Sequence, residues 1–118
     1  MYSGTNLTKN AVIQARISRE WLFINIALLM AQRAECNRLR VGAVLVSPDQ
    51  RIIATGYNGV LPGKTLDCTN ICNPNEPCSR TTHAEQNLLA NCAKNGISTL
   101  GATLYITHSP CMQCCKLI

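Results

Sequence analysis

Residues 41–56 read VGAVLVSPDQRIIATG, and this stretch decides the fold. Val41–Ser47 is a nearly unbroken run of β-branched and small apolar residues, the pattern of a strand buried on both faces. Pro48-Asp49-Gln50 is a turn signal, and Arg51–Gly56 resumes strand character. The two runs therefore read as a β-hairpin. On its N-terminal side, Ser18 is placed to cap a helix running to about Cys36, with Leu22, Ile26, Leu29 and Met30 recurring at helical spacing. On its C-terminal side, Tyr57–Ser79 holds five Gly or Pro residues and three cysteines but few large apolar ones, so it reads as a long loop that a core does not hold. A second helix spans Thr82–Asn95, with Leu88, Leu89 and Cys92 on its apolar side and Gly96 as its stop. Ala102–Thr107 is a third strand, and Ser109-Pro110 opens a third helix in cap-then-proline order. The order αββαβα predicts an α/β layer fold, with helices packed against a mixed sheet.

With 118 residues the chain is one domain's worth of sequence, read as a single unit over 1–118. Hydrophobic residues make up 47%, enough for one core, which excludes wholesale disorder. Eight cysteines need an explanation, either disulfides or metal. Disulfide scaffolds are short, secreted and poor in core, whereas this chain has long apolar segments. Its first ten residues are polar, with Lys9 the one basic residue among them, which is not a secretory signal. The longest apolar stretch, Trp21–Ala31, is interrupted by Asn25 and falls short of the roughly 20 residues that a membrane span needs. The expectation is a cytoplasmic protein with reduced thiols that ligate metal. The net charge of +5 favours an anionic partner, while five aromatic residues are too few for a single-strand stacking platform.

Two short motifs carry the chemistry. His83-Ala84-Glu85 falls in the first turn of the second helix, and Pro110-Cys111-Met112-Gln113-Cys114 in the first turn of the third. Together they match H-x-E…P-C-x-x-C, the pattern of zinc nucleobase deaminases. Cys111 and Cys114 are spaced i, i+3, so they share a helix face and reach one ion. A helix N-terminus stabilises thiolates. His83 adds a third ligand, and three protein ligands leave one tetrahedral position open, as catalytic zinc requires. Glu85 is placed to move a proton rather than to bind metal. Simpler roles exist for each half. Thr82-His83-Ala84-Glu85 is also a capping box, in which Glu85 is only a helix cap. A lone C-x-x-C is also a redox motif, although no thioredoxin-like order surrounds this one.

With these motifs in view, the chain resembles the deoxycytidylate (dCMP) deaminases of the cytidine deaminase superfamily, known from bacteria, phages and eukaryotes. The resemblance runs from about Trp21 to Lys116. It rests on Cys36-Asn37-Arg38, Val41-Gly42-Ala43-Val44, Thr55-Gly56-Tyr57-Asn58-Gly59, the cysteine-rich loop, Arg80-Thr81-Thr82-His83-Ala84-Glu85 and Thr107-His108-Ser109-Pro110-Cys111. It implies a cytidine-deaminase-like three-layer α/β fold, a mixed sheet with helices on both faces, truncated at its C-terminus because family members continue with further strands. It also implies zinc-dependent hydrolysis of dCMP to dUMP and ammonia, feeding thymidylate synthesis, with Glu85 as the proton carrier. Asn58 resembles the family asparagine that holds the sugar; by spacing alone it is a turn residue. Arg38 resembles an arginine that reaches the substrate phosphate; by position alone it is a solvated cation at a helix end. The backbone at Ala84 is implied to contact the pyrimidine edge.

The resemblance further implies a second, structural zinc held by Cys36, Cys68, Cys72 and Cys78, which would order a loop poor in apolar side chains. Cys92 and Cys115 are then left for packing. Two zinc ions per chain would lower the formal charge from +5 to about +3, a bias suited to a mononucleotide phosphate. Relatives of this kind form hexamers regulated by dCTP and dTTP, so a homo-oligomer with those effectors is implied, with no membrane and no nucleic acid as partners. Two other readings stay open on the sequence. One is a zinc deaminase acting on another base or nucleoside. The other is a non-catalytic, zinc-stabilised nucleic-acid-binding module.

Overall fold

The computed structural model describes residues 16–36, 39–59 and 82–118. Cys68, Cys72, Cys78 and Arg38 lie outside the described residues. Six elements follow in the expected order: α1 (Arg19–Ala31), β1 (Gly42–Val46), β2 (Ile52–Tyr57), α2 (Ala84–Asn95), β3 (Thr103–Ile106) and α3 (Met112–Leu117). The hairpin forms as expected, with β1 antiparallel to β2 from Gly42↔Tyr57 to Val46↔Ile52. β3 adds to the other edge of β1, so the strand order is β2-β1-β3. That pairing is also antiparallel, from Ala43↔Ile106 to Val46↔Thr103. No parallel pair occurs among the described residues, so the part of the sheet seen here is antiparallel rather than mixed.

All five residues of β1 are buried, because helices cover both faces of the sheet. Successive β1 side chains alternate between two cores. Val41, Ala43 and Leu45 join Ala54, Ala84, Leu88 and Cys92 under α2. Val44 and Val46 join Phe23 and Ala27 under α1. The phenyl ring of Phe23 meets Tyr105 of β3 at a centroid distance of 5.2 Å. The result is the three-layer arrangement implied by the sequence, with Cys92 in the core.

α1 departs from expectation in two respects. The expected apolar side was Leu22, Ile26, Leu29 and Met30, yet the buried residues are Phe23, Ala27 and Ala31. Leu29 is 70% exposed and Trp21 is 59% exposed. The reason is close approach: a Cβ added to Gly42 would stand 2.6 Å from the Ala31 nitrogen and against the Ala27 carbonyl. Only small side chains fit between helix and strand at that separation. α1 also stops at Ala31, well before Cys36. Tight i→i−3 bonds, Arg33 N–H to Met30 O at 3.0 Å and Ala34 N–H to Ala31 O at 3.1 Å, end it. The chain then turns to the sheet, where Glu35 N–H donates to Asn58 O at 3.2 Å. The start is as expected: the Ser18 hydroxyl accepts from Trp21 N–H at 3.1 Å.

Candidate metal centre

The C-terminal ends of β2 and β3 flank the start of β1, and both functional motifs leave the sheet there. On the β2 side, Gly59 and Thr82 form an isolated antiparallel bridge, with Gly59 N–H to Thr82 O at 3.1 Å and Thr82 N–H to Gly59 O at 2.7 Å. This pair brings the chain to His83, the N-cap of α2. The first turn of α2 sits directly on β2: a Cβ on Gly56 would be 2.7 Å from the Ala84 carbonyl oxygen. On the β3 side, Thr107 extends the ladder, its N–H donating to Gly42 O at 3.1 Å while its Oγ1 accepts from Gly42 N–H at 3.1 Å. Residues 108–110 then lead to Cys111, the N-cap of α3. Sequence spacing placed that helix start two residues earlier, at Ser109-Pro110.

Three predicted ligands converge. The His83 Nδ1 lies 3.5 Å from Cys111 Sγ and 3.4 Å from Cys114 Sγ. All three donor atoms lie within 4.8 Å of one another. Tetrahedral zinc, with sulfur at ~2.3 Å and nitrogen at ~2.0 Å, sets such atoms about 3.5 Å apart, so the observed spacing fits the ion. Nδ1 facing the thiols means that a ligating His83 carries its ring proton on Nε2. Cys111 is exposed and Cys114 is buried, which leaves the centre closed on the core side and open on the other.

Glu85 is buried, at 4% exposure. Its charge opposes the ionisation of both thiols. The capping role that the sequence left open for it belongs elsewhere. With His83 as N-cap, the N3 residue is Gln86, whose Oε1 accepts from His83 N–H at 3.0 Å. Glu85, in the first turn of α2, is therefore not that cap. Neighbouring Ala84 is buried in the core beneath α2, at 1% exposure.

Burial pushes the Cys114 thiol up to about 12, helped by a hydrogen bond to Cys111 and the charge of Glu85. The Cys114 backbone N–H, with the Cys114 thiol, draws the Cys111 thiol below its usual value. A ligating cysteine is a thiolate, so Cys114 gives up a proton when metal enters. Zinc loading at pH 7 is therefore expected to release at least one proton per site, and affinity to rise with pH. Calorimetry in two buffers of different ionisation heat measures this directly; loading with no proton released would contradict the assignment of Cys114.

The remaining candidates divide. Asn58 is buried, and it is more than a turn residue: its Oδ1 accepts from Val41 N–H at 2.7 Å and its Nδ2 donates to Leu39 O at 2.7 Å. Cys36 is buried and lies beyond the end of α1 rather than on the helix. Cys115, expected to pack, is exposed. Among the described residues no helix is long and apolar enough to cross a membrane.

Residues 17–118 match the family described as the cytidine and deoxycytidylate deaminase zinc-binding region. The chain belongs to this family. It is 45% identical over 104 residues to ComE operon protein 2 of Bacillus subtilis, covering 87% of this chain and 54% of that protein. It is 37% identical to the deoxycytidylate deaminase of Mycobacterium phage D29, over 81% of this chain and 82% of that one. Its fold superposes with a TM-score of 0.74 and 34% identity on the crystal structure of dCMP deaminase from cyanophage S-TIM5 in complex with dCMP and dUMP, covering 83% of this chain and 71% of that one. The chain thus spans about half the length of the Bacillus relative. The three side chains that the sequence singles out as candidate ligands come together, with the Glu85 side chain buried. Gln86 carries no such signal in the sequence, because histidine is not among the favoured N-cap residues.

Proposed function

We propose that this chain carries the zinc-dependent deamination of dCMP to dUMP with release of ammonia. The observation that supports it best is a buried carboxylate, Glu85, set beside a three-ligand His/Cys/Cys centre that keeps one side open. The phage relatives named for this reaction, one of them solved with dCMP and dUMP, favour the substrate.

Zinc held by His83, Cys111 and Cys114 would supply Lewis-acid activation of water at neutral pH. The protein's own groups do the rest. Glu85, not itself a ligand, takes a proton from water and delivers it to the ring nitrogen beside the amino-bearing carbon, then assists departure of ammonia. Its burial keeps bulk water from competing for that proton. The Ala84 backbone meets the pyrimidine edge in this reading. Asn58 holds the sugar: its Oδ1 has a second lone pair beyond the one bonded to Val41, and that lone pair suits a hydroxyl donor. Arg38 reaches the phosphate. Cys36, buried one residue beyond the Glu35–Asn58 bond, joins Cys68, Cys72 and Cys78 around a second, structural zinc.

Ammonia release from dCMP and from deoxycytidine, compared at equal concentration, tests the reading. The nucleotide is expected to react at least about tenfold faster, since a charge-assisted phosphate contact contributes roughly 1.5–3 kcal/mol. Preference for the nucleoside would remove the role of Arg38, and no ammonia from either would defeat the proposal. Elemental analysis separates the metal count, with two zinc ions per chain expected and one leaving only the His83 centre.

A further inference from the structure

We propose that Gln86 and Asn87 are positioning residues for His83: with Gly59 they hold both ends of the Thr82–His83 peptide group and so aim the imidazole at the two thiols. This rests on the reading of His83, Cys111 and Cys114 as a zinc centre. At one end of that peptide, His83 N–H donates to Gln86 Oε1 at 3.0 Å. At the other, the Thr82 carbonyl accepts from Gly59 N–H at 3.1 Å and lies 3.5 Å from Asn87 Nδ2. An asparagine amide nitrogen carries two hydrogens. The shorter bond from Asn87 Nδ2, at 2.7 Å, goes to the Tyr57 carbonyl at the end of β2. One side chain of α2 thus ties the end of β2 to the residue before the ligand.

His83 stands outside the helical ladder as N-cap, so its N–H is one of the donors that a helix leaves unpaired. Without Gln86 that group turns to solvent and the peptide plane is held only at its Thr82 carbonyl. With this plane held at N–H and C=O, and the next one held by the His83 carbonyl accepting from Asn87 N–H at 2.9 Å, φ and so the His83 Cβ are fixed, and only χ1 and χ2 separate it from Nδ1. Groups that orient a metal ligand in this way are each worth about ten- to a hundredfold in metal affinity. An ordinary helix cap would stabilise α2 and leave metal binding untouched, and the two roles separate by experiment.

The test titrates zinc into the full chain against a chromogenic chelator and records Co²⁺ spectra. The wild type is compared with His83→Ala, Gln86→Ala, Gln86→Glu and Asn87→Ser. Zinc that His83→Ala fails to bind defines the centre; if that variant binds as the wild type does, the zinc reading fails, whatever the role of Gln86 and Asn87. Gln86→Ala and Asn87→Ser are expected to weaken the His83-dependent binding about ten- to a hundredfold and to shift the visible Co²⁺ bands. Gln86→Glu keeps an acceptor in place and is expected to restore both. Wild-type affinity and bands in Gln86→Ala and Asn87→Ser overturn the proposal, as does a Gln86→Glu variant no better than Gln86→Ala. Should one variant fail to fold, the other, read against Gln86→Glu or the wild type, decides.

Discussion

Glu85→Gln is expected to lower the rate of ammonia release from dCMP by about 10²- to 10⁴-fold, the range that a positioned proton carrier contributes, with zinc content unchanged. Glutamine keeps the shape and burial of the side chain and removes the site that takes up the proton. In the proposed reading the residue is no ligand, and the donor atoms that gather are those of His83, Cys111 and Cys114. Its charge opposes ionisation of both thiols, so its removal eases thiolate formation, and the variant should hold zinc at least as tightly as the wild type. Rate and zinc content measured on one sample separate the two effects. A variant that turns over dCMP within threefold of wild type would remove Glu85 from the mechanism, and one that loses zinc would make it part of the metal centre.

Gly42→Ala is expected to cost about 3 kcal/mol or more, at the upper end of what overpacking costs and a large share of the roughly 5–15 kcal/mol that stabilises a domain. The added methyl meets backbone on two sides, the Ala27 carbonyl and the Ala31 nitrogen, and backbone has no rotamer to escape into. α1 would have to lift from the sheet, opening the core of Phe23, Ala27, Val44 and Val46. Gly96→Ala is the matched control. Gly96 has φ +66° and nothing within 4 Å of the added atom, so it pays only for the left-handed conformation, about 1–2 kcal/mol. Urea unfolding compares the two, and equal midpoints would show that α1 tolerates displacement.

The hairpin, the two helix-led motifs and the core position of Cys92 were legible because each depends on short-range pattern: an apolar run, a turn triplet, ligands three residues apart. What the sequence hid depends on distant partners. The buried side of α1 is set by Gly42 across the layer boundary, which demands Ala27 and Ala31 where larger aliphatic residues were expected. The path beyond α1 is set by the Asn58 carbonyl, which takes the Glu35 N–H after the tight bonds at Arg33 and Ala34 have closed the helix. The two roles open to Glu85 were separated by a shift of one residue in the helix start, which gave the cap to Gln86. Asn58 looked like a turn residue because its bonds to Val41 and Leu39 cross from one chain segment to another.

The Gly59–Thr82 bridge has a consequence for how such a domain varies. Two hydrogen bonds close the base of the segment between them, so the distance across its ends is set by the sheet and not by what the segment contains. The entropic cost of a longer connection grows only with the logarithm of its length, about 0.6 kcal/mol per doubling. Residues can therefore be added or removed beyond Gly59 while His83 stays in register with Cys111 and Cys114.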